Sequence, residues 1–152
     1  MNRIIFQMPD GNVRVCIPAH GHRPDESEDQ WLDRIANLSA PLGAIRLANT
    51  EATELPSRRF RGAWRIVNGK IEVSMPLARD QRLAEIRTDR NNRLAESDGP
   101  MLRAMERGSL DVTIWKIYRQ ALRDMPQVID LTIAKTSEIL SSLELPWPQK
   151  PE

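Results

Sequence analysis

Apolar positions in the first half of the chain fall in short β-rich runs, whereas in the second half they recur at three- and four-residue spacing. That change of pattern predicts strands first and helices after. Arg3-Ile-Ile-Phe-Gln7 and Asn12-Val-Arg-Val-Cys-Ile17 flank Met8-Pro-Asp-Gly11, a turn in which Pro presets φ and Gly accepts a positive φ, so a first hairpin is expected. Residues 18–24 read as a breaker-rich connection. Ser27-Glu-Asp-Gln30 then offers a capping box, opening a helix to about Leu38 that buries Trp31, Leu32, Ile35 and Leu38. Residues 44–48 read as another strand. Residues 60–67 and 70–75 flank Asn68-Gly69, a dipeptide whose tolerance of positive φ makes it the strongest hairpin signal in the chain.

Pro76 suits the start of a helix, and residues 77–95 contain no Gly or Pro to stop it. At about 100° per residue, Leu83, Ile86 and Leu94 fall on one side; Arg79, Arg82, Arg90 and Arg93 lie nearly there too, with Glu85, Asp89 and Glu96 around the flank. Gly99-Pro100 is expected to interrupt this helix, and a shorter one bearing Met101, Leu102 and Met105 to end near Gly108. Asp111-Val-Thr113 is the expected cap of the next helix, with Ile114, Tyr118, Ala121, Leu122 and Met125 as its buried stripe, Trp115 at the border and Pro126 as its end. Residues 136–143 add a short helix before a tail in which Pro146, Pro148 and Pro151 favour an extended path. The reading is α+β: N-terminal β-hairpins around one helix in residues 1–75, and a helical C-terminal module with a Pro-rich tail in residues 76–152.

Composition narrows the chemistry. A chain of 152 residues, 40% hydrophobic and 28% charged, is long enough for one domain with a real core or two small modules sharing one. Its 22 basic and 21 acidic residues give a net charge of +1, which supplies no bulk attraction to nucleic acid or an anionic membrane. No apolar run approaches the roughly twenty residues of a membrane span, and Pro9-Asp-Gly11 cuts the apolar start short of a signal peptide, so a soluble protein is expected. Cys16 stands alone and excludes an intrachain disulfide; it reads as a structural thiol in a reducing compartment. Cys16, His20 and His22, with Asp25 and Glu26 nearby, are zinc-donor types at a spacing that matches no closed site, so no metal or cofactor is expected. Nothing positions a nucleophile with its base, no Gly-rich phosphate loop appears, and Asn68-Gly69-Lys70 is a hairpin tip. The expectation is a protein that is not an enzyme.

The Arg-bearing helix admits two readings. Its guanidinium groups form a stripe for phosphates or an acidic partner, or their stems cover Leu83, Ile86 and Leu94 while Glu85 and Asp89 pair with them. The flanking acids favour the second and argue against nucleic acid as partner. A narrow apolar stripe on so long a helix also suggests a homodimer, with a second helix completing the cover. Trp115, Tyr118 and Trp147 are either a partner-binding aromatic surface or the core of a small helical module.

Three pieces occur in order in the last third of the chain: Asn91-Asn-Arg-Leu-Ala-Glu-Ser-Asp98, Trp115-Lys-Ile-Tyr-Arg-Gln-Ala-Leu122 and Leu145-Pro-Trp-Pro-Gln-Lys-Pro151. The set resembles the C-terminal module of bacteriophage tail fibre assembly chaperones. The first half, with its Ile-Ile-Phe strand, Pro18-Ala19 and Leu55-Pro-Ser-Arg-Arg-Phe-Arg-Gly-Ala-Trp64, is similar to the amino-terminal portions of prophage tail-associated proteins. Two features depart from the simplest such modules: the longer link over residues 128–145 and the Arg-bearing helix. The resemblance implies a protein that helps a phage tail fibre or other tail subunit fold, trimerise or attach, acting in the host bacterial cytoplasm during assembly. Trp115, Arg119, Trp147 and Pro148 become the candidate partner contacts, and Arg79, Leu83, Ile86, Arg90 and Leu94 the candidate oligomer or partner helix. A permanent virion tail subunit, and a regulator using the Arg helix, stand as the alternatives.

Overall fold

The computed structural model describes residues 2–19 and 21–151. Its contacts divide the chain into two units, Met1–Ala78 and Arg79–Glu152.

In the first unit Ile4, Ile5 and Phe6 are buried in succession. Successive strand residues point to opposite faces, so a continuous buried run requires cover on both. Their strand, β1 (Asn2–Gln7), lies inside a small antiparallel sheet, paired with β2 (Val13–Cys16), β3 (Ile45–Arg46) and β4 (Thr50–Glu51). On one face Ile4 and Phe6 pack against Trp31, Leu32 and Ala36 of α1 (Glu28–Ser39). On the other, Ile5 and Val13 pack against Trp64 at the head of β5 (Trp64–Val67), which pairs with β6 (Lys70–Val73).

The local signals account for these elements. Gly11, at φ 80°, donates its N–H to the Met8 carbonyl at 2.9 Å and closes the first turn. Asn68 and Gly69 take φ 50° and 78° in the second hairpin, the paired positive values of a type I′ turn. At α1 the Ser27 hydroxyl accepts from the Gln30 N–H at 3.2 Å, and the Gln30 side-chain oxygen accepts from the Ser27 N–H at 2.9 Å, so the capping box is formed. Arg34 clasps Glu26 through two 2.7 Å bonds. That hydrogen-bonded guanidinium holds the Glu26 carboxyl down at about 2.

Three details differ from the sequence expectation. Leu38 is exposed, and Ala36 takes its place in the core; the buried stripe centres on Leu32, Ile35 and Ala36, and Leu38 falls past its edge. The strand expected from residue 60 begins at Trp64, because Arg58–Ala63 form 3-10 turns broken at Phe60. The strand expected at 44–48 is reduced to the two residues of β3.

The second half is helical. In α2 (Met75–Glu96) the Ser74 carbonyl accepts from the Ala78 N–H at 2.9 Å, which places Pro76 in the first turn, where its missing N–H costs nothing. α3 (Asp98–Glu106), α4 (Asp111–Val128) and α5 (Ser137–Ser142) follow. The interruption after α2 falls at Ser97, and Gly99-Pro100 lie inside the first turn of α3, where Pro is tolerated. Gly108, at φ 62°, donates to Met105 and Ser109 donates to Ala104, both at 3.1 Å, the paired bonds of a Schellman ending. The N-cap position of α4 is Leu110, not Asp111, and it makes no side-chain cap bond; the Ser109 hydroxyl just before it accepts from the Asp111 N–H at 3.1 Å. Pro126 sits within the last turn of α4, and the helix runs on to Val128.

Replacing Gly69 by Val forces a branched residue into left-handed backbone and should destabilise the protein by about 1–2 kcal/mol; a variant whose urea midpoint matches the parent's removes the type I′ hairpin. For Glu26 the depressed carboxyl contributes stability that is complete above its ordinary value of 4.5 and is lost as pH falls through about 2. The stability gap between parent and Glu26→Gln, measured by urea denaturation, should therefore be full at neutral pH and narrow towards pH 2.

Candidate functional site

In the second unit one side chain organises the break between α2 and α3. Arg119 on α4 directs Nη1 to the Leu94 carbonyl at 3.0 Å, to the Ser97 hydroxyl, and to the Asp98 carboxylate at 2.7 Å. Ser97 is fully buried, and its hydroxyl also donates to the Leu94 carbonyl at 2.6 Å. A helix end leaves backbone carbonyls without intrahelical donors, and buried ones need partners. Here the Ser97 N–H, at 3.1 Å, and its hydroxyl already reach the Leu94 carbonyl, and Arg119 adds a charged donor that ties this helix end to α4.

Around this bond set lies the module's core. Ala104, Trp115, Tyr118 and Leu122 form its buried cluster, with Leu94, Met101, Val112 and Trp147 packed against it. Trp115 meets Tyr118 edge to face, with centroids 5.8 Å apart at 83°. Arg93 places its guanidinium carbon 4.5 Å from the centre of the Trp147 ring, a cation–π contact on the scale of ~1 kcal/mol. The three ordered sequence pieces thus interlock: Arg93, Leu94, Ser97 and Asp98 from the first, Trp115, Tyr118 and Arg119 from the second, Trp147 from the third. Pro148 beside it is half-buried.

The arginine stripe is also used internally. Arg79 donates to the carbonyls of Leu131 at 3.1 Å and Ala134 at 2.9 Å, fastening that segment to α2. Arg82 pairs with Glu85 at 3.1 Å. The Nε atoms of Arg82 and Arg90 are buried without a hydrogen-bond partner. Ile86 is fully buried, while Leu83 and Leu94 are half-buried.

On α4 the register differs from expectation. Trp115, Tyr118, Leu122 and Met125 are the buried row, and Ile114 faces outward. Leu110, Ile114, Ile117 and Val128 are 90%, 53%, 66% and 70% exposed, and half-buried Ala121 falls in line with them. Their spacing of four, three, four and seven residues makes a second apolar row along one side of the helix. Leu102 and Met105 on α3 are exposed as well. Beside the row a groove of about 540 Å³ is lined by Met101, Lys116, Ile117, Arg119, Gln120 and Arg123, with no acidic residue among them. Sequence periodicity places Ile114 and Ala121 in the buried row and so hides this one. The usable signal was the number of apolar positions on α4, which exceeds what one buried stripe can hold.

In the first unit His22 lies edge-on to Trp31, with centroids 5.7 Å apart, and the Cys16 sulfur accepts from the Ser39 hydroxyl at 3.7 Å. His20, the remaining donor considered in that loop, lies outside the described residues. Among the described residues no cluster of His, Cys, Asp and Glu gathers for a metal ion, and no helix is long and apolar enough to cross a membrane.

Replacing Arg119 by Met should cost about 2–3 kcal/mol, since it strips a charged donor from buried acceptors. Asp98→Asn should cost under about 1 kcal/mol, because that carboxylate is largely solvated. Equal losses in thermal denaturation would show that the ion pair, not the buried acceptors, carries the effect.

Residues 83–152, from within α2 to the end of the tail, match the phage tail assembly chaperone protein family. No curated protein and no solved structure matches the chain.

Proposed function

We propose that the protein is a tail assembly chaperone that binds a tail fibre subunit through the outward row of α4 and holds it soluble until it assembles. The family match over residues 83–152 supports a tail protein as partner. The observation that carries the surface is the row itself: four large apolar side chains, each more than half exposed, along α4 and its N-cap, beside a neighbouring row already committed to a core. A contiguous exposed apolar strip on a folded module marks an interaction site. Fibre subunits before oligomerisation expose apolar and strand-edge surfaces that aggregate, and an apolar strip beside the cationic groove suits a partner with apolar residues and flanking acids.

Trp115, Arg119 and Trp147 enter this reading as supports. They fix α4 against α3 and the tail, so the outer row is presented without a further ordering cost on binding. The chemistry is non-covalent, with no catalytic residues, and the site of action is the bacterial host during assembly. A chaperone of this kind leaves the finished particle.

Coexpression with the parent should raise the yield of soluble fibre subunit, and replacing Ile114 and Ile117 together by Glu should abolish that gain, with affinity falling at least about tenfold, the scale of a lost hot spot. The melting temperature should stay within a few degrees of the parent's, both positions being exposed. Undiminished fibre solubility with this variant rejects the row as the contact, and recovery of the protein in purified particles favours a permanent tail subunit.

A further inference from the structure

Trp64, whose buried ring packs with Ile5 and Val13, also lines a pocket of about 200 Å³ in the N-terminal unit, outside the residues that match the family. Val15, Leu55 and Pro56 contribute apolar wall beside it. Arg3, Arg58 and Arg61 line the same pocket, and no acidic side chain does. Arg58 and Arg61 stand exposed on the 3-10 segment Arg58–Ala63. Neither guanidinium has a hydrogen-bond or ion-pair partner among the described residues.

Cations of one sign set around a low-dielectric wall focus their potential into the cavity. The repulsion between Arg58 and Arg61 is relieved when a carboxylate enters, and the guanidinium fork matches carboxylate geometry. The strand that contributes Val15, β2, is the edge of its sheet, the position where an extended segment of another chain is most readily received. A free metabolite would satisfy the charge and leave this edge unused.

We propose that this pocket receives an extended acidic segment of a partner protein, with one bulky apolar residue against Trp64 and its flanking carboxylates on Arg58 and Arg61. The chaperone reading does not depend on it, because the α4 row belongs to the other unit.

The test uses the full-length protein and fluorescence anisotropy with a short labelled peptide in which a central Leu is flanked by Asp and Glu. Two counterparts serve as controls, one with Asn and Gln replacing the acids and one with Ala replacing the Leu. The acidic Leu peptide should bind about tenfold more tightly than either, the scale of a charged or apolar anchor. Arg58→Glu and Arg61→Glu should each weaken it about tenfold, and the double variant should prefer a Lys-flanked peptide. Ala52→Leu, which fills the pocket from its own lining, should weaken all of these. Melting curves confirm that each exposed substitution leaves the fold intact. Equal affinity for the acidic and amide peptides, unchanged binding in Arg61→Glu, or no binding of the acidic peptide at millimolar concentration overturns the proposal.

Discussion

Where α2 ends, the Ser97 N–H and hydroxyl turn back onto the Leu94 carbonyl, and the guanidinium of Arg119 joins the same carbonyl and the buried Ser97 hydroxyl. A hydrogen bond from a charged donor contributes more than a neutral one, so Arg119 couples the bend between α2 and α3 to the placement of α4. Once α4 is fixed by that bond set, Ala104 on α3 meets Trp115, Tyr118 and Leu122, and Trp147 of the tail closes over them beneath Arg93. The polar bond set specifies the register and the aromatic cluster supplies the burial. Arg79 performs a related service further along, holding the 131–134 segment by its carbonyls.

This arrangement leaves α4 with two apolar sides. The row of Trp115, Tyr118, Leu122 and Met125 is spent on the core; the row of Leu110, Ile114, Ile117 and Val128 is not. An outward row on a rigid helix is useful to a protein that must hold another transiently, since binding then orders little that was mobile. Labour is divided along one helix: the residues most recognisable in sequence build the platform, and less distinctive neighbours are left exposed for the proposed contact.

Much of the architecture was legible because its causes are local. The α+β order, the Asn68-Gly69 turn and the Ser27–Gln30 box depend on residues within a few positions of each other, and all three formed. Resemblance to tail chaperones was legible from three ordered pieces, although their residues meet only in the fold. Other features depend on partners that no local pattern names. Leu38 is as apolar as Leu32, and only the extent of the sheet beneath α1 decides that Ala36 is covered instead. Ile114 and Trp115 are adjacent, and periodicity cannot tell which of two neighbouring apolar rows faces inward. Strand β4, paired with β1 across some fifty positions, carries no signal in its two residues. The role of Arg119 was equally hidden, since a guanidinium that completes a helix end reads in sequence like one that meets a partner.

The most direct test is residue-level footprinting of the protein by hydroxyl radicals, alone and mixed with the proposed partner, a tail fibre subunit. The account predicts that Leu110, Ile114 and Ile117 lose reactivity in the complex while Trp115, Tyr118 and Trp147 are unchanged. Protection concentrated at Trp147 and the Pro-rich tail, with the α4 row still fully reactive, would contradict it.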